Sequence, residues 1–413
     1  MSGGSGTHGA DAIGTEDLRR RIAAAQPDLR RIRHDLHAHP ELGYEERRTA
    51  GVIHRELGAL GVEFVGGLAG GTGVVAHLPP TDPKNAGRPA VALRADIDAL
   101  PIEERTGLPY ASTTPGRMHA CGHDGHTAML LGVARVLQGL PERPNPVTLL
   151  FQPAEEGGGG ADRLCQDGAL DGRVLGPRAG RVFGLHGWPE LPVGVVATRP
   201  GPLLASTDEL RVTIRGTQSH AAYPHYSADP VVGAAHVITA LQTVASRNAA
   251  PTDAVVVSVC VVRGGTAHNV IPESVELIGT VRTLSDATRA MARRRVHDIC
   301  TQTAAALGCR AEVELNEGYP VTRNDSALTE RFFDVARRSL GPQRVGVIEQ
   351  PTMGGEDFAY YGRHAPAVFF CLGLRPPERD RYPTLHQPDF DFNDDAMPTG
   401  IEMFCRLALD PVG

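Results

Sequence analysis

Residues 118–126 read MHACGHDGH, so that nine positions hold three histidines, a cysteine and an aspartate, with two glycines between them. Core packing gives no reason for such a density of metal-ligand side chains. Cys121 and His123 stand two apart in a glycine loop, within reach of one centre. A thiolate with imidazoles suits zinc, manganese, cobalt or nickel better than calcium or magnesium. The bland alternative is a histidine-rich loop whose side chains are solvated or cap the next helix. Four further polar clusters stand at strand ends or in loops. RADIDALP (94–101) places Asp96 and Asp98 on one face of a strand end. From there Asp98 can orient a ligating histidine from behind, or cap a helix. FQPAEEGGGGA (151–161) ends a strand in Glu155 and Glu156. Adjacent glutamates point apart, so one can hold a metal while the other stays free as a general base. The four glycines that follow allow a ligand close to the backbone. GLHGWP (184–189) ends an apolar strand in His186, and TLHQPDFDFND (384–394) carries His386 in a late polar loop. Alone, His186 reads as structural sooner than as a ligand. GGEDFAYY (354–361) is a candidate pocket lining, with helix capping by Asp357 as the favoured reading.

The elements that must position these groups follow from periodicity. Helices are expected over 16–38, 44–60 and 125–139 and near 160–170, and strands over 73–79, 89–97, 147–154 and 181–187. This alternation predicts an α/β unit with helices on both faces of a mixed sheet. Residues 207–317 change rhythm to strand, helix, strand, strand, helix, strand, the βαββαβ order of a ferredoxin-like unit. The first style returns with helix 326–340, strand 367–373 and helix 394–409. The organisation expected is therefore a disordered tail over 1–15, a catalytic domain over 16–204 and 318–413, and an inserted domain over 205–317.

Composition sets limits on partners. At 413 residues two domains are the prior expectation. A net charge of -7 argues against nucleic acid and anionic membranes as partners. No apolar run approaches the roughly 20 residues of a membrane span. The Gly/Ser-rich start MSGGSGTHGADAIGTED lacks the basic and apolar regions of a secretory signal, which makes a cytoplasmic location the expectation. The seven scattered cysteines, most of them in apolar stretches such as VVVSVCVV, fit a reducing compartment and not a disulfide framework.

In this order and spacing the clusters resemble the metal-dependent amidohydrolase and exopeptidase family of aminoacylases and carboxypeptidase G. Within it they are most similar to the branch of hippurate hydrolase, N-acyl-amino-acid amidohydrolases and auxin-conjugate hydrolases. The shared wording runs from HDLHAHPELGYEE (34–46) through RADIDALP, MHACGHDGHTAMLLG, FQPAEEGGGGA, LHGWPELPVG, SHAAYPHYSADPV, HNVIPES, GTVRT and GGEDFAYY to LHQPDFDF. The resemblance implies a zinc-peptidase-like catalytic domain carrying a ferredoxin-like lid through which the chain forms a homodimer. It implies two divalent metals, Mn2+ or Zn2+ with Co2+ and Ni2+ as alternatives, held by Cys121, His123, Glu156, His186 and His386. Cys121 stands where relatives have a bridging aspartate, and Asp96 where they have the first histidine. It further implies Glu155 as the general base, Asp98 behind a ligand, and His220 of the lid reaching an active site, its own or its partner's, to steady the oxyanion. Asn269 and Arg282 would take the substrate carboxylate, for which a guanidinium has the right fork geometry. His119, Asp124 and His126 are left with supporting or capping roles.

The activity expected is hydrolysis of the amide of a small N-acyl amino acid, giving a carboxylic acid and a free amino acid. A dipeptidase or carboxypeptidase on the same fold is the second reading. A non-enzymatic metal or redox sensor built on Cys121 leaves the free Glu155 unexplained. No GK[ST] follows the glycine run, and GGTGVV (70–75) precedes a strand instead of following one, so neither a phosphate loop nor a dinucleotide fingerprint is present.

Overall fold

The computed structural model describes residues 14–411. The tail expected over 1–15 falls almost wholly outside these residues, and Thr15 already begins a helix. Two units are distinct: Met1–Gly201 with Arg323–Glu349 and Tyr360–Gly413, and Pro202–Thr322 with Gln350–Ala359.

The first unit is organised by the strand Ala90–Asp96, which has all seven residues buried. It pairs in parallel with Val147–Gln152 on one side and Ala179–Pro192 on the other. A strand enclosed on both sides reads as a continuous apolar run. The one cation in it, Arg94, is held by Asp96 at 2.6 Å and Gln152 at 2.8 Å, which offsets the cost of its burial. The full sheet has eight strands in the order Glu63–Leu68, Gly73–Leu78, Val147–Gln152, Ala90–Asp96, Ala179–Pro192, Ala367–Arg375, Val196–Thr198, Val345–Val347. The Glu63–Leu68/Gly73–Leu78 pair is antiparallel and the centre parallel, so the sheet is mixed. Helices Thr15–His37, His123–Gln138 and Met397–Leu409 pack on one another and share one core.

Two local expectations are corrected. The helix expected from residue 44 starts at Arg47, because Tyr44 has a φ of 67° and the Glu46 side chain is committed elsewhere. The strand through His186 does not end there. It runs on to Pro192 because its parallel pairing with Ala367–Arg375 continues past the histidine.

In the second unit, four antiparallel strands lie in the order Val255–Gly264, Ser274–Thr283, Ser206–Arg215, Arg310–Glu317. Helices Pro230–Leu241 and Asp286–Ala306 follow the first and third strands in the chain. Ser206–Arg215 alternates strictly, burying Leu210, Val212 and Ile214 against the helices' Val237, Leu241 and Val296. Asp229 and Ser285 cap the two helices by accepting backbone N–H groups, and Pro230 stands at the first turn where its missing donor costs nothing. Cys260 does not behave as a small core residue. A bulge between Val259 and Val261 shifts the register of this edge strand, and the thiol is exposed.

Candidate metal centre

Cys121 and His123 are delivered by a turn at Gly122, whose φ of 85° is a left-handed conformation suited to glycine. The turn leads directly into helix His123–Gln138, which no side chain caps. His186 comes from the central strand Ala179–Pro192, Glu156 from the loop after Val147–Gln152, and His386 from the loop ahead of the last helix. Ligand atoms of Cys121, His123 and His186 lie within 4.8 Å of one another, and so do those of Cys121, Glu156 and His386. The two triads share Cys121 and together use all five expected ligands. Cys121 Sγ is 3.3 Å from His186 Nε2, and Glu156 Oε1 is 3.1 Å from His386 Nε2. His386 is the outermost of the five, with half its side chain exposed.

The tautomers follow from the partners. His123 Nδ1 lies 2.9 Å from the Asp98 carbonyl and 3.1 Å from Asp98 Oδ1. Both are acceptors only, so Nδ1 holds its proton in either charge state, and Nε2 is the nitrogen that offers a lone pair once a cation displaces its own proton. That Nε2 is buried without a hydrogen-bond partner. His186 Nδ1 donates to the Gly187 carbonyl at 2.8 Å, which leaves its Nε2 lone pair facing the thiol. Two buried imidazole lone pairs, a thiol and a carboxylate form a donor set suited to zinc-like cations.

The electrostatics favour a cation. Burial opposes charge on His123, but Asp96 and Asp98 outweigh it and hold its pKa at about 10. Burial, then Glu156, Glu155 and Asp96, push the Cys121 thiol well above its ordinary range. Burial and the neighbouring His126 keep His186 neutral. A pocket that favours an imidazolium and suppresses a thiolate favours a divalent cation for the same reason.

Glu155 is buried and lies within ligand distance of His123 and Glu156. Asp98 accepts the Glu156 N–H through Oδ2 at 3.0 Å while its other oxygen faces His123. His126 accepts the Gly187 N–H at Nε2 (2.9 Å) and donates from Nδ1 to Asp96 (2.6 Å), so its lone pair is spent on backbone.

Of the supporting or capping roles left open for Asp124, the cap is not made. Asp124 is instead bound by the fully buried Arg33 at 3.2 Å and by His37 Nδ1 at 2.9 Å. Burial works against its charge, yet His37 and Arg33 hold it far below the usual carboxylate range. Ahead of the turn Asp357–Arg363, Glu356 accepts the Phe358 N–H at 3.0 Å.

The glycine run has a packing role as well. Gly157 and Gly159 adopt φ of 87° and 68°, while a Cβ on Gly160 would meet the Pro153 carbonyl oxygen at 1.7 Å and one on Gly158 the Ala154 Cβ at 2.6 Å. Gly158 and Gly160 thus fold the loop onto its own strand, while the space beside Gly157 is open.

His220, Asn269 and Arg282 belong to the second unit. His220 pairs with Val270 in a short ladder, beside which Ala221 N donates to the Asn269 carbonyl at 3.0 Å. His220 Nδ1 accepts the Ala222 N–H at 3.1 Å, so the neutral ring carries its proton on an exposed Nε2. Arg282 is not in that ladder. It lies on Ser274–Thr283, opposite Thr207 and Val256.

The sequence reading missed Glu46, Arg33, His37 and Arg94, buried polar groups around the loops that carry the site. His37 and Glu46 stand in HDLHAHPELGYEE, Arg33 just ahead of it and Arg94 in RADIDALP, and no role was attached to any of the four.

Residues 92–410 match the model of peptidase family M20/M25/M40. The chain is 41% identical over 378 residues to the N-acetyl-L-cysteine deacetylase of Bacillus subtilis, covering 91% of this chain and 86% of that one. It is 39% identical to IAA-amino acid hydrolase ILR1-like 4 of Arabidopsis thaliana over 91% and 84% of the two chains. The crystal structure of the Bacillus subtilis YXEP protein, a dinuclear metal-binding peptidase of the M20 family, superposes with a TM-score of 0.78. It is 34% identical to this chain and covers 94% of this chain and 98% of its own.

Proposed function

As a member of the M20/M25/M40 peptidase family, the chain is a metal-dependent amidohydrolase, and we propose that it cleaves the amide bond of N-acyl amino acids. The observation that carries this reading is the pair of ligand triads joined at Cys121, with a second glutamate beside them. Cys121, His123, Glu156, His186 and His386 would hold two divalent metals, Mn2+ or Zn2+. When bound, the metals polarise the amide carbonyl and make the attacking water acidic enough to ionise. Glu155 takes the water's proton and passes it to the leaving amine. Asp98 keeps the His123 Nε2 lone pair directed into the site. His220, with its proton on Nε2, donates to the carbonyl oxygen as charge builds there, a contribution of about 3–4 kcal/mol for a well-aimed donor. Arg282 and Asn269 take the carboxylate of the amino acid.

The substrate class is supported by the names of two relatives, a deacetylase of N-acetyl-L-cysteine and a hydrolase of IAA-amino acids. We place the inserted unit as a ferredoxin-like lid, supported by its strand order. Dimerisation through it is supported by the outer strand Val255–Gly264, which has one edge free in its sheet and exposes Val262. A reducing, cytoplasmic location is supported by seven free cysteines.

The test is hydrolysis of N-acetyl, N-benzoyl, long-chain acyl and indoleacetyl amino acids beside dipeptides, with each metal returned to stripped enzyme. Faster turnover of dipeptides would shift the reading to a dipeptidase. Glu155→Gln is expected to keep its metals and lose at least about 100-fold in kcat. Near-normal turnover would remove Glu155 as the base.

A further inference from the structure

The candidate base stands between two backbone N–H groups, each held by a carboxyl from a distant part of the chain. On its C-terminal side, Glu156 N donates to Asp98. On its N-terminal side, Ala154 N donates to Glu46 Oε1 at 2.9 Å. Ala154 has a φ of 52°, a left-handed conformation that an alanine adopts only when its surroundings impose it. Glu46 is fully buried, and its second oxygen accepts the Thr72 hydroxyl at 2.8 Å. Although Glu46 occupies the N-cap of helix Arg47–Ala59, its side chain caps nothing there. The neighbouring residues grip the same loop. Tyr44 Oη donates to the Gly158 carbonyl at 2.6 Å, and a Cβ on Gly43 would lie 3.1 Å from the Ala154 Cα.

We propose that Glu46 is a positioning residue for Glu155: by holding the Ala154 N–H it fixes the left-handed turn from which the base is aimed at its water. The inference rests on Glu155 being the base. Burial, reinforced by the nearby Asp98 charge, raises the Glu46 carboxyl to about 7. Both protonation states serve, because a proton on Oε2 can be given to the Thr72 oxygen while Oε1 still accepts from Ala154. A glutamine has the same capacity, its carbonyl accepting from Ala154 and its amide donating to Thr72. A leucine fills the volume and accepts nothing.

The test uses metal-loaded full-length enzyme and an N-acyl amino acid that the wild type hydrolyses. Glu46→Leu is expected to lower kcat about 10- to 100-fold with KM changed by less than about threefold, and to retain the wild-type metal content. Glu46→Gln is expected to stay within about threefold of wild type in both. Unchanged kcat in the leucine variant overturns the proposal, and so does a glutamine variant as impaired as the leucine one. A fall in kcat accompanied by loss of metal also overturns it, since Glu46 would then serve the ligands and not the base. Should the leucine variant not fold, Glu46→Asp decides. It keeps the carboxyl but is one methylene too short to reach Ala154, and normal kcat there overturns the proposal. Glu155→Gln measured alongside separates the two claims. If it turns over normally the base assignment fails, whereas if it is inactive while Glu46→Leu is normal only the positioning role fails.

Discussion

His123 Nδ1 lies 2.9 Å from the backbone carbonyl of Asp98 and 3.1 Å from the same residue's Oδ1. One aspartate thus supplies two acceptors to one ring nitrogen and locks the tautomer that sends the Nε2 lone pair into the site. Its remaining oxygen holds the Glu156 N–H, so a second candidate ligand depends on it. Asp98→Ala is therefore expected to weaken metal binding about 10- to 100-fold, the usual cost of losing a partner behind a ligand. Competition with a chromogenic chelator measures it, and wild-type affinity would remove Asp98 from the metal centre's support.

His126 closes the first turn of helix His123–Gln138 and is close to His186, with ring centroids 4.8 Å apart, yet both of its nitrogens are already engaged. Replacing it with phenylalanine leaves the buried Gly187 N–H and the Asp96 carboxylate short of a partner, at about 1–3 kcal/mol for each unsatisfied group. The expected outcome is a protein less stable to urea that still binds its full complement of metal. A variant that loses one metal equivalent would show His126 to be a ligand.

Most of the candidate metal centre could be proposed from sequence because its residues stand in short, dense words. A glycine turn with Cys121 and His123 two apart signals a site by itself. His186 and His386 gain meaning only when long-range folding brings them to that turn, and sequence assigned them through resemblance. Glu46 gave no sign: a glutamate ahead of an amphipathic helix reads as part of that helix, and nothing local shows its side chain turning 108 positions along the chain to Ala154. The strand Glu63–Leu68 was hidden by its paired glycines, and Val196–Thr198 and Val345–Val347 are too short to show a period. Segment Gln350–Ala359, which belongs with the second unit, carries no periodic signal of that membership.

The buried His37 supplies a pH dependence. Burial acts to lower its pKa, but Asp124 at 2.9 Å and Glu104 at 3.3 Å prevail and raise it from 6.5 to about 9. Since the folded value lies above the unfolded one, the stabilisation is fully present below pH 6.5 and is lost as pH rises through 9. The difference of about 2.5 units corresponds to roughly 3 kcal/mol. Urea unfolding of the wild type is expected to show that fall between pH 6.5 and 9.5, and His37→Gln to flatten most of it. A variant with the wild-type slope would show that the proton involved sits elsewhere.

Two glycines of one run separate the reasons a position excludes side chains. Gly157 has a φ of 87° with open space around its missing Cβ, so Gly157→Ala costs only the left-handed backbone, about 1–2 kcal/mol. At Gly160 the added Cβ would sit 1.7 Å from the Pro153 carbonyl oxygen, a backbone atom at the end of the strand that leads to Glu155. That overlap cannot be relieved by a rotamer change, and the loop must move. Gly160→Ala is expected to cost about 3 kcal/mol or more and to reduce metal content and turnover together, because Glu155 and Glu156 shift with the loop. Urea unfolding of both variants beside metal analysis is the measurement. Equal stability losses with unchanged metal content would show that close packing at Gly160 does not hold the two glutamates in place.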